Sequence, residues 1–165
     1  MLSGGTNRYV VNNTIHDVDG GINVPGPGSV SIVNNVLSGI TEAQGNHIFV
    51  ESGSTAEKST LRYNLLDGAV RIKWAGGGSV YSLSGFQAAF PGQGQNSVNA
   101  DPLFVGPASE DFQLQAGSPA VDKGTPDLVY AAFRGLYGID IAEDLARTPR
   151  PQGSAWDLGA YERKP

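Results

Sequence analysis

The chain has 165 residues, no cysteine and a net charge of −5. That length suffices for one domain with a real core, and the lack of cysteine excludes disulfides and thiolate metal sites. The negative balance argues against nucleic acid as a partner, and no apolar run of about 18 residues offers a membrane span.

Glycine and proline make up one residue in five, so the chain reads as short strands with many corners. No charged-then-apolar leader is read at Met1. In chain order, asparagine returns beside β-formers in "VVNNTI" at 10–15, "IVNNVL" at 32–37 and "RYNLLD" at 62–67. Asparagine is a poor strand residue, so its recurrence needs a reason. Asn13, Asn35 and Asn64 each precede a short apolar pair, and a second strand follows each: "GINV" at 21–24, "HIFVE" at 47–51 and "VRIKW" at 70–74. A third strand, "VSIVN" or "TLRYN", leads into the next asparagine. Three short strands in every 20-odd residues is the rhythm of a parallel β-helix. The asparagines are expected at corners, where a left-handed backbone costs Asn least after Gly, and stacked as an amide ladder along the axis. "SGSTAEKS" at 52–59 reads as a polar loop thrown out from the stack.

Alternation along the second strand sorts its side chains. Ile22, Val24, Ile48, Val50, Val70, Ile72 and Trp74 are expected inward. Asn23, His47, Phe49, Glu51, Arg71 and Lys73 are expected outward, in adjacent rows on one face. From about Val80 the rhythm fails. A short helix is read around 83–90 and another over 127–136 with Asp127 as N-cap. "ADPLFV" and "DFQLQ" read as extended pieces. The irregular tail, anchored by Trp156, Leu158 and Tyr161, is expected to fold back over the last coil as a terminal cap.

Three later motifs, "FQAAFPGQGQNSVNADPLFV", "DFQLQAGSPAVDKGT" and "RTPRPQGSAWDLGAYE", lie in order between residues 86 and 162. This half of the chain resembles the C-terminal end of right-handed parallel β-helix proteins of the pectate-lyase-like superfamily, of the choice-of-anchor or chondroitinase-B-like kind. The fold so implied is all-β: a short right-handed parallel β-helix of about three coils over residues 1–80. Residues 81–165 would form an irregular C-terminal cap on the same core. The resemblance implies a bacterial, extracellular or cell-surface parent, often active on carbohydrate; lyases, glycoside hydrolases and epimerases occur among such proteins. This chain departs by its small number of coils and by a longer connection at 127–146.

The leading expectation is a non-catalytic fragment that serves as a scaffold or contacts polysaccharide, with Phe49 to stack on sugar and Asn23 to bond hydroxyls. One alternative is a polysaccharide lyase. Such an enzyme must neutralise a uronate carboxylate and remove the adjacent carbon-bound proton. Arg71 and Lys73 are the candidates, with His47 or Glu51 assisting. A glycosidase would need two carboxyls at about 5–10 Å, and Asp17 with Asp19 reads better as a solvated turn. Asp101, Asp122 and Asp157 belong to the tail motifs and read as structural, Asp101 and Asp157 as turn residues bonding backbone amides. With only His16 and His47 and no HExxH, no zinc site is expected. No other cofactor is expected; "DVDG" at 17–20 has a faint calcium-loop character without the rest of an EF-hand loop. The last alternative is self-association through strand edges of the first coil.

Overall fold

The computed structural model describes residues 7–41 and 45–164. Nine short strands make three rounds of the same circuit. They are β1 (Asn7–Val11), β2 (Thr14–Val18) and β3 (Ile22–Val24), then β4 (Ser29–Val33), β5 (Val36–Ile40) and β6 (Ile48–Val50), then β7 (Thr60–Arg62), β8 (Leu65–Leu66) and β9 (Ile72–Lys73). Strands of the same place in each round pair in parallel, giving sheets β1-β4-β7, β2-β5-β8 and β3-β6-β9. Register is strict: Ile22, Ile48 and Ile72 are opposite one another, as are Thr14, Val36 and Leu65. The repeated parallel topology is that of a β-helix-like solenoid. A further strand, β10 (Val98–Asn99), pairs with β8, so the second sheet has four rungs and the repeat outlasts the expected three.

Period-two alternation builds the core. Ile22, Val24, Ile48, Val50, Ile72 and Trp74 are buried and share one apolar cluster with Val30, Ile32, Leu37, Leu61 and Leu66. At the corner between the first two sheets the asparagines stack as expected. Asn13 Nδ2 donates to Asn35 Oδ1 (3.0 Å), and Asn35 Nδ2 donates to Asn64 Oδ1 (2.9 Å). The backbone N–H of Asn13, and likewise that of Asn35, reaches the same oxygen one coil on. In the fourth rung Ser97 takes over, its Oγ accepting from the Asn64 N–H. The left-handed residue, however, is the one before each ladder residue: Asn12 (φ 55°), Asn34 (58°), Tyr63 (53°) and Asn96 (55°). Glycine or aspartate takes the same conformation at a second corner, in Asp17 (52°), Gly39 (63°) and Gly68 (77°).

The remaining segments revise the sequence reading in two places. The stretch 52–59 is not a loop thrown out. It contains the one-turn helix α1 (Gly53–Ala56), and Ala56 lies in the core while Ser59 Oγ caps the Val30 N–H. Helix α2 (Leu83–Ala89), capped by Ser82, sits where a short helix was expected and inserts Leu83 and Phe86 into the core beside Trp74. The tail does not cover the last coil. It runs along the side of the stack, past the asparagine corner: Gly159 N–H donates to Asn34 O, Asn12 Nδ2 reaches Asp157 O, and Ala160 N–H reaches Thr14 Oγ1. Beside it, an antiparallel pair, β11 (Phe104–Gly106) with β12 (Asp111–Leu114), adds Phe104 and Leu114 to a second cluster with Val36, Leu65 and Leu158. Helix α3 (Leu128–Tyr137) is capped by Asp127, whose side chain accepts from Val129 N–H. Residues 1–6, where the first-coil edge was expected to begin, lie outside the described residues.

Candidate functional site

The third sheet carries the residues singled out by alternation. Its register places Asn23 opposite Phe49 and Phe49 opposite Lys73, a single outward row across three coils. Each of the three lies between buried residues on its strand, so its side chain leaves the core by the pleat alone. Asn23 is exposed, and Phe49 and Lys73 are half-buried. Lys73 Nζ stands 5.4 Å from the centre of the Phe49 ring, within range of a cation–π contact. An open depression of about 440 Å³ lies beside the row, with Asp19, Asn46, Asn23 and Phe49 in its wall. The sheet ends at Ile72, where Tyr81 returns antiparallel and exchanges both backbone hydrogen bonds.

Of the other predicted site residues, Glu51 is exposed at the end of β6, where the left-handed Gly76 packs against its carbonyl. Arg71 is half-buried beside Lys73, and its Nε is buried without a partner among the described residues. His47 departs from the expectation. It is not on the outward face but 2% exposed. Its Nε2 contacts the Asp67 carbonyl oxygen at 2.8 Å, and its Nδ1 accepts from the Arg71 N–H at 3.3 Å. A carbonyl oxygen only accepts, so the ring is neutral with its proton on Nε2. Burial lowers its pKa, against the raising effect of the Asp67 carbonyl contact and the Asp67 charge. Both nitrogens serve the bend between second and third sheets, so His47 stands in that corner.

The carboxylates are likewise taken up locally. Asp19 Oδ1 accepts from Thr41 Oγ1. Asp101 Oδ1 accepts from the Leu103 N–H, Asp122 Oδ1 from the Ala155 N–H, and Asp157 from the N–H groups of Asp122 and Arg163. Among the described residues, no three of His, Asp and Glu gather closely enough to hold a metal ion.

A feature sequence reasoning missed is the polar centre of the tail. Arg150 and Glu162, with side chains 1% and 0% exposed, form an ion pair at 2.6 Å. Arg150 also donates to the carbonyls of Asp157 and Gly159. Glu162 receives the Asp157 and Gln152 N–H groups. The "RTPRP…GAYE" motif is the signal that could have found this pair, since it holds a cation and an acid twelve residues apart. In comparison with known proteins, no family model matches this chain, and no curated protein or solved structure matches it significantly.

Proposed function

We propose that the chain is the C-terminal part of a right-handed parallel β-helix of the pectate-lyase-like superfamily, and that it contacts polysaccharide without catalysis outside the cell or at its surface. The observation that carries this reading is the row Asn23–Phe49–Lys73. A flat aromatic ring can lie on the apolar face of a sugar, and an amide above and an ammonium below it can donate to hydroxyls or a uronate carboxylate. Strict register holds all three on a rigid sheet, which lowers the entropy lost on binding. A lyase would have to act through Lys73, Arg71 and Glu51 without His47, whose ring nitrogens are already engaged.

A glycan array probed with the whole chain tests the reading, followed by titration of any hit. Phe49→Ala should weaken the contact about tenfold and Lys73→Ala should weaken it more for uronate polymers than for neutral ones. Unsaturated, ultraviolet-absorbing product that disappears with Lys73→Ala would instead establish the lyase. Binding that ignores both substitutions would end the reading.

Self-association is a second reading, favoured by one observation. Asn13 Oδ1 receives no hydrogen bond from the described residues, although the equivalent oxygen of Asn35 receives two. Strands β1, β2 and β3 also have a described partner on one side only, and such edges take up further strands. Sedimentation over a concentration series checks it, a monomer throughout being the contrary result.

A further inference from the structure

The stretch 127–147 takes no part in the row on the third sheet. It forms one wall of a cavity of about 720 Å³, within the usual size of small-ligand sites. The opposite wall is β1 and the corner after it. Tyr9 and Val11 alternate with Val10, which packs on the core, so the strand turns the first two to the cavity and the third inward.

Every charge in this wall already has a partner. Arg147 pairs with Glu143 and Arg150 with Glu162. The two oxygens of Asp144 take the N–H groups of Thr148 and Glu162. Burial pushes the Tyr130 hydroxyl up to about 12, so it stays neutral. The wall's charges are already balanced, and the Arg150–Glu162 pair is buried and costly to disturb, so a neutral ligand perturbs the wall least.

What is left over is a mixture of single donors and single acceptors. Arg150 Nε–H is buried and has no partner among the described residues, in a side chain 1% exposed. Asn13 Oδ1 is an acceptor that no described residue uses, as noted above. The Tyr130 hydroxyl gives its proton to Asn12 Oδ1 (2.7 Å), which leaves its oxygen free to accept. The half-exposed Tyr9 and the exposed Leu145 add apolar surface at the wall. Hydroxyls that each donate and accept, carried on a ring with an apolar face, satisfy such a wall. We propose that this cavity is a carbohydrate site separate from the third-sheet face, taking a neutral oligosaccharide segment.

The test uses the whole chain with cellotriose, xylotriose and maltotriose, and with trigalacturonate as the charged comparison, by calorimetry and ligand-observed NMR up to about 10 mM. At least one neutral trisaccharide should bind better than trigalacturonate. Tyr9→Ala should weaken it about tenfold, Leu145→Ala should weaken it severalfold, and Phe49→Ala should leave it unchanged. Leu145 is exposed, so its variant keeps the test available should Tyr9→Ala not fold. The inference is overturned if no neutral trisaccharide binds, if trigalacturonate is preferred, or if binding ignores both cavity substitutions. Loss on Phe49→Ala alone would also overturn it while supporting the third-sheet reading, so the two stand or fall separately.

Discussion

Replacing Asn35 probes the ladder at its most enclosed point. The side chain is fully buried; Nδ2 lies within bonding distance of Asn64 Oδ1, Val10 O and Val33 O, and Oδ1 accepts from the Asn13 N–H and Asn13 Nδ2. Asn35→Ala removes these contacts. Some groups keep other partners: Asn64 Oδ1 still takes the Asn35 N–H, and Val33 O still takes the Asn12 N–H. At about 1 kcal/mol net per hydrogen bond, and with the exposed Asn13 returning to water, the loss is about 3 kcal/mol. Asn35→Asp should be worse, although it is nearly isosteric. It turns a carboxylate oxygen toward three acceptors with no donor to offer, a buried charge facing like partial charges. Asn13→Ala, at the exposed end of the ladder, should cost less than about 1 kcal/mol. Urea unfolding followed by tryptophan fluorescence reads all three. With m near about 2 kcal/mol/M, Asn35→Ala should move the midpoint by about 1.5 M. If Asn35→Asp unfolds at the same midpoint as Asn13→Ala, the ladder is an ornament of the corner and not what holds it.

Three further outcomes follow from the same structure. Since burial lowers the His47 pKa, the unfolded chain binds more protons than the folded one between that lowered value and the ordinary value near 6.5. Stability from this group is therefore full above about 6.5 and falls as pH drops through that value toward the lowered one; melting temperature against pH should show the slope, and His47→Gln should flatten it. Ala75 is exposed and left-handed (φ 62°), so Ala75→Gly should raise stability by about 1 kcal/mol, read as a higher urea midpoint; a decrease would show that the turn is not strained. Arg150→Ala would leave Glu162 charged and buried, at about 3–5 kcal/mol. Limited proteolysis should then cut within 150–164 before it cuts the coils, and simultaneous loss of both would show that the tail and stack unfold as one unit.

The coils were legible because their signals are local. An apolar pair after each asparagine and alternation within each second strand place Ile48, Phe49 and Val50 correctly without any long-range information. Alternation misled at His47 because it was carried one residue back across a corner. His47 precedes β6, and the chain there already bends toward Asp67, so the pleat no longer dictates direction. The fourth rung was hidden because serine replaces asparagine at 97. Its hydroxyl caps the ladder as an acceptor, and of the asparagine doublet only the outer residue, Asn96, is left there to be read. The Asn23–Phe49–Lys73 row was within reach of sequence reasoning, whereas the cavity at 127–147 was not. Tyr9 and Arg147 meet there through the path of the tail, which depends on contacts more than a hundred residues apart, such as Tyr130 with Asn12.

The path of the tail also explains why the asparagines come in pairs. In "NN" at 12–13 and at 34–35 the second residue faces along the axis and builds the ladder. The first is left-handed, and that conformation turns its side chain out of the corner. There it meets the tail: Asn34 accepts from the Thr125 N–H at 3.1 Å and donates to the Thr125 carbonyl at 2.6 Å, while Asn12 donates to the carbonyls of Asp157 and Gly159 and accepts from Tyr130. Asn34 also donates to Asn12 Oδ1 at 3.2 Å, so the outer column is itself cross-linked. One doublet thus meets two demands. It supplies the residue that, after glycine, pays least for a left-handed corner, and it puts amides on both sides of the bend. The third coil breaks the doublet with Tyr63-Asn64, and there the tail contact changes character, to packing of Tyr63 in the second apolar cluster and a 3.3 Å pair between Arg62 and Asp127. The inner asparagine is kept where the ladder needs it, and the outer one gives way where the tail can be held by other means.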